Sequence, residues 1–178
     1  MKKILPAIIL LGAALAFWWS CGNSTDVLAT KTPGVVFPNT EYSKAVAYHY
    51  LGEKGEHIIQ NGKLVGTVLS EKVLDKEKVD RFLQVVNDSN SYGNDHTRCF
   101  RPHLGVVFYD KNDKPKAHVS ICFECNVLYA SPEILACTQK ELRGFSHDGL
   151  RQLVAFCKEL AFGHCDPNST RTPKVLDE

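Results

Sequence analysis

The chain has 178 residues, 44% hydrophobic and 23% charged, which suits a globular protein able to bury a core of its own. Lys and Arg number 21 against 20 Asp and Glu; without Lys2 and Lys3, which head an N-terminal leader, the balance is 19 against 20, or −1. A near-neutral domain offers no electrostatic footprint for nucleic acid or an acidic membrane surface, so neither is expected as a partner of the folded part.

At the start of the chain, Met1-Lys2-Lys3 precedes an apolar run from Ile4 to Trp19, followed by Ser20 and Cys21. Positive charge followed by apolar residues is the order of a secretory segment. With its two lysines, short apolar run and Ser20-Cys21-Gly22, this leader resembles a bacterial lipoprotein signal, and it departs from that pattern at Trp18 and Trp19. The resemblance covers residues 1–22 only. It implies removal of a signal segment, residues 1–20, and lipid attachment (a palmitate-type chain) at Cys21. Two alternatives stay open: cleavage after Ala14-Leu15-Ala16, or retention of the run, with the tryptophans at the membrane interface. All three outcomes place the domain outside the cytoplasm, in the cell envelope and facing the periplasm or exterior. Membrane contact is expected through the N-terminus.

Residues 21–40, rich in Thr, Pro, Gly and Asn, read as a flexible tether to a single domain over 41–165, with a disordered tail over 166–178. Within the domain, Glu41 to Tyr50 reads as a strand. His57 to Gln60 and Lys63 to Leu69 flank Asn61-Gly62 as a hairpin. Asp75 caps a helix to about Asn87, with Val79, Phe82, Leu83 and Val86 on one face. Asp88 to Asp95 reads as a loop. Leu104 to Tyr109 and Lys116 to Cys125 are the clearest strands, and Val127 to Ala130 is a further one. A last helix starts at Ser146 or Asp148, carries Leu150, Leu153, Val154, Cys157, Leu160 and Ala161 as its stripe, and is capped by Gly163. The expected fold is α+β, an antiparallel sheet of about five or six strands with two main helices packed on one face. His49 and His57 are expected at the surface.

Seven cysteines are present, and six remain if Cys21 is lipidated: Cys99, Cys122, Cys125, Cys137, Cys157 and Cys165. An even set in an exported protein makes all six disulfide candidates, with the connectivity open. Cys157 lies on an apolar helical stripe and is expected in the core. Cys122-Phe123-Glu124-Cys125 spells a redox motif, but on a strand two residues three apart are separated by ~10 Å. A bond between them therefore requires the strand to end by Phe123. No metal and no cofactor is expected; Cys99-x3-His103 and His118-x3-Cys122-x2-Cys125 have zinc-like spacing, with Cys99, His103 and Cys122 as weak metal candidates.

Aligning the apolar sets of the central hairpin pairs Phe108 with Ala117, Val106 with Val119 and Leu104 with Ile121, since a one-residue slip would turn one set to water. That register brings His103 opposite Cys122 and Arg101 opposite Glu124. These four residues are the candidate site, because a His beside a Cys can lower the thiol pKa and act as a base. No Gly-rich phosphate loop, spaced carboxylate pair or nucleophile-elbow Ser occurs. The expected role is a tethered binding or interaction domain for an unknown protein or small-molecule ligand. The alternative is an extracytoplasmic thiol enzyme or redox protein using Cys122 with His103.

Overall fold

A computed structural model describes residues 36–138 and 144–167. The leader, Cys21 and the tether as far as residue 35 lie outside the described residues, as does the tail from 168. Among the described residues no helix is long and apolar enough to cross a membrane.

The strands in chain order are β1 (Lys44–Tyr50), β2 (Ile59–Gln60), β3 (Lys63–Leu64), β4 (Val68–Val73), β5 (Tyr92–Gly93), β6 (Leu104–Tyr109), β7 (Pro115–Cys122), β8 (Val127–Ser131) and β9 (Gly144–Phe145). The helices are α1 (Lys76–Asn87), α2 (Leu135–Thr138) and α3 (His147–Glu159). Five strands form one antiparallel sheet in the order β4-β1-β6-β7-β8. The fold is therefore α+β, as the alternation and helical periods require.

Alternation divides each central strand between two cores. Ala45 and Ala47 of β1, Leu104, Val106 and Phe108 of β6, and Val119 and Ile121 of β7 face α1 and α3, meeting Val79, Phe82, Val86, Leu153 and Phe156. On the other face Val46, Tyr48, Tyr50 and Val107 pack with Ile58 and Ile59 from the small β2–β3 hairpin. That cover comes close to the sheet at Gly105, where a Cβ would lie 2.5 Å from an Ile58 side-chain carbon. The β6–β7 register is the one set by the apolar pattern, with Leu104 opposite Ile121, Val106 opposite Val119 and Phe108 opposite Ala117.

Both main helices begin as their caps dictate. Asp75 Oδ1 accepts the Lys78 N–H at 2.8 Å, and Ser146 Oγ accepts the Gly149 N–H at 3.2 Å. The end of α3 corrects the expectation for Gly163. The left-handed residue is Ala161, at φ 55°, and a double hydrogen-bonded cap closes around it: Ala161 N–H to the Lys158 carbonyl and Phe162 N–H to the Cys157 carbonyl. An alanine there pays a steric cost that glycine avoids. Ala161→Gly is accordingly expected to raise the unfolding free energy by about 0.5–1 kcal/mol, read as a higher urea midpoint with unchanged slope.

Several boundaries move. The first strand starts at Lys44, not Glu41. The predicted Lys63 to Leu69 strand is broken between β3 and β4, and β4 continues to Val73 as an edge strand whose side chains are almost all exposed, leaving no alternation to read. The Asp88–Asp95 loop contains a short helical turn, Ser89–Ser91, and β5. Packing against the domain starts before residue 41: Phe37 is buried, exchanges hydrogen bonds with Asn87 and meets the Phe108 ring edge-on. The expected surface position of His49 is also corrected. It is 9% exposed, because β1 carries it against Phe162 and His164.

Candidate functional site

The candidate residues gather where β6 begins and β7 ends. β7 stops at Cys122, and Phe123 to Asn126 turn, with Asn126 N–H on the Phe123 carbonyl and Asn126 itself at φ 52°. This is the early strand end that the spacing argument required, yet the bond it permits is a different one. Cys99 is bonded to Cys125, with Cα atoms 5.5 Å apart. Cys122 is a free thiol with no exposed surface. A second bond joins Cys157 to Cys165, eight residues on, after the chain reverses through Ala161. Cys157 is thus both a core residue and half of a disulfide. Because Cys122 is a free thiol, the six candidates do not all pair.

The sulfurs of Cys99, Cys122 and Cys125 all lie within 4.8 Å of one another. Cys122 Sγ accepts the backbone N–H groups of Arg101 and Cys125, each at 3.3 Å. Burial pushes the Cys122 thiol up, and these two donors pull it only part of the way back. Cys99 sits on the exposed segment between Arg98 and Arg101, its sulfur 3.2 Å from Thr97 Oγ1. The loop bearing it is pinned by Thr97 N–H on the Cys125 carbonyl and by Asn126 Nδ2 on the Asp95 carbonyl. Of the sequence candidates for a metal, Cys99 and Cys122 fall in this cluster together with Cys125, whereas His103 does not.

His103 is held elsewhere. Its Nδ1 is 3.1 Å from the Tyr50 carbonyl, its ring stacks on His164 at 4.5 Å, and its Nε2 is 3.9 Å from Glu124 Oε1. His49 Nε2 meets His164 Nδ1 at 3.0 Å, so β1, β6 and the chain after α3 bring three imidazoles together. Burial lowers the pKa of both His103 and His49, favouring neutral rings. Arg101 reaches Glu124 Oε2 only at 3.9 Å. The Glu124 side chain is 9% exposed, and its Oε1 has no hydrogen-bond partner among the described residues. The expected Arg101–Glu124 neighbourhood therefore exists. In the expected His103–Cys122 pair, the imidazole has its Nδ1 on the Tyr50 carbonyl and its Nε2 toward Glu124, and burial raises the thiol.

No family model, curated protein or solved structure matches the chain.

His164 and His49 were missing from the candidate residues. His164 lies 115 positions from His49, and its place depends on the reversal at Ala161, which no local pattern announces. The Cys99–Cys125 bond spans 26 positions and was equally open among the possible pairings. On the far face a separate aromatic group forms, with His57 stacked on Tyr129 at 3.7 Å and tilted against Phe100. His57 is thus half-buried rather than a surface residue.

Proposed function

We propose that the chain is a cell-envelope lipoprotein, exported and held on a membrane through its N-terminus at Cys21, that presents its cysteine-rich domain as a binding module. The observation that carries this reading is the pair of disulfides, Cys99–Cys125 and Cys157–Cys165, since such bonds persist in oxidising compartments and are rare in the cytosol. The charge-then-apolar leader ahead of Cys21 supports the same address. A binding role is favoured over an enzyme that uses His103 as base to Cys122, since the His103 ring is held by the Tyr50 carbonyl and faces Glu124. Ligand contact is expected at the end of the sheet where exposed Arg101 and His164 lie beside buried His103 and Glu124, whose Oε1 is still to be satisfied.

Mass spectrometry of the mature protein tests the address. The expected result is an N-terminal peptide that starts at an acylated Cys21, recovered from the membrane fraction, and release of the protein to the soluble fraction by Cys21→Ala. Intact Met1 on cytosolic protein with every thiol reduced overturns the reading.

A further inference from the structure

We infer that Cys99, Cys122 and Cys125 form a thiol–disulfide exchange centre, in which the bond passes from Cys99–Cys125 to Cys122–Cys125 and frees Cys99 to react with an external disulfide. This goes beyond a binding role and assigns Cys122 a task that does not use His103.

The geometry supplies three requirements. First, an internal thiol lies beside an existing bond, with all three sulfurs within 4.8 Å. Exchange proceeds by attack of a thiolate on a disulfide sulfur, so proximity of this kind is what an intramolecular transfer needs. Second, the attacking sulfur has oriented donors: the N–H groups of Arg101 and Cys125 both point at Cys122 Sγ, where they favour the thiolate over the thiol. Third, the two ends of the present bond differ in access. Cys125 has no exposed surface, whereas Cys99 is exposed. Moving the bond inward therefore delivers a thiol to the surface. Arg98 and Arg101 flank that thiol in sequence, and Thr97 Oγ1 lies within hydrogen-bond distance of its sulfur, surroundings that favour a reactive thiolate.

The step balances without any added oxidant. Cys122 gives up its proton to hydroxide from the solvent, and its sulfur attacks Cys125 Sγ. The Cys122–Cys125 bond forms as the Cys125–Cys99 bond breaks, and the electron pair leaves on Cys99 Sγ. One disulfide is lost and one gained. In the second step the Cys99 thiolate attacks an external disulfide, a mixed disulfide forms at Cys99, and the other half leaves as a thiolate. Such a bond within the turn is sterically reachable because β7 ends at Cys122 and the chain folds back at once, placing the Cys125 N–H on the Cys122 sulfur.

The test uses the native full-length protein with excess oxidised glutathione at pH 8, quenched with acid and alkylated before peptide mapping. The expected result is glutathione on Cys99 together with a Cys122–Cys125 cross-linked peptide. In Cys122→Ala the Cys99–Cys125 bond should persist and glutathione on Cys99 should fall at least tenfold. Purified Cys99→Ser should contain the Cys122–Cys125 bond. Glutathione on Cys122, equal modification of Cys99 in Cys122→Ala, or Cys122 and Cys125 both recovered as thiols from Cys99→Ser would each overturn the proposal. So would one equivalent of zinc bound by the three sulfurs. These outcomes concern the cysteines of the domain alone, so they are distinguishable from a failure of Cys21 processing.

Discussion

Cys99→Ser combined with Cys125→Ala is expected to lower the unfolding free energy by about 3–4 kcal/mol, more than loss of Cys157–Cys165. The bond closes 26 positions, which include all of β6 and β7, two inner strands of the sheet. Cross-linking residues that far apart removes many conformations from the unfolded chain, and the chain-entropy relation gives ~3.5 kcal/mol for a loop of this length. Cys157–Cys165 closes only eight positions, worth ~2.5 kcal/mol by the same relation. The ranking is thus part of the prediction: the first double substitution should shift the urea midpoint more than Cys157→Ala with Cys165→Ala. Full reduction removes about 6 kcal/mol, comparable to the whole stability of a small domain, so the dithiothreitol-treated protein should be largely unfolded by far-UV circular dichroism at 37 °C. A reduced protein with an unchanged unfolding midpoint would show that the bonds merely decorate an already stable core.

Acid should unfold the protein well before its carboxylates titrate. Burial brings His118 down from 6.5 to about 4, with the neighbouring His57 a smaller cause, and His118 Nε2 has no partner to hold a proton. His57, His103 and His49 are lowered too, each chiefly by burial. These rings bind protons less readily folded than unfolded, so the unfolded state takes up more protons as pH falls below the ordinary value. Stability is complete above about pH 6.5 and is lost progressively down to about pH 4, where His118 itself protonates in the fold. After discounting for the solvent that reaches it, His118 alone accounts for about 2 kcal/mol of that loss. Asp75, held down by the Lys78 ammonium, and Asp110, held down by the Lys114 N–H, act in the same direction, losing stability as pH falls, but only below the ordinary carboxyl range. Urea midpoints at pH 7, 5.5 and 4.5 check this: the wild type should fall steadily, and His118→Gln should flatten roughly half of the fall. A midpoint independent of pH across that range would mean that the rings are solvated rather than buried.

Much of the architecture could be read along the chain because it rests on local rules. Val79, Phe82 and Val86 recur at helical spacing behind Asp75, and their helix forms where the cap and the stripe agree. Leu104, Val106 and Phe108 alternate opposite Ala117, Val119 and Ile121, and only one register buries both sets. That register carried Arg101 into the neighbourhood of Glu124. β4 escaped notice because an exposed edge strand has no buried face to write a period into the sequence. Phe37 follows Val35 and Val36 in the sequence, and only its packing beside Phe108 and its hydrogen bonds with Asn87 set it apart.

What the sequence alone determined here is whatever depends on neighbours within a turn or across a hairpin: the two capped helices, the central strand pairing and the α+β class. Which cysteines bond, which way His103 faces and that His49 and His164 meet were decided only in three dimensions. Those contacts link segments 8 to 115 positions apart, through turns at Asn126 and Ala161. The free energy that selects them comes from burial summed over the whole core, so no local pattern records it.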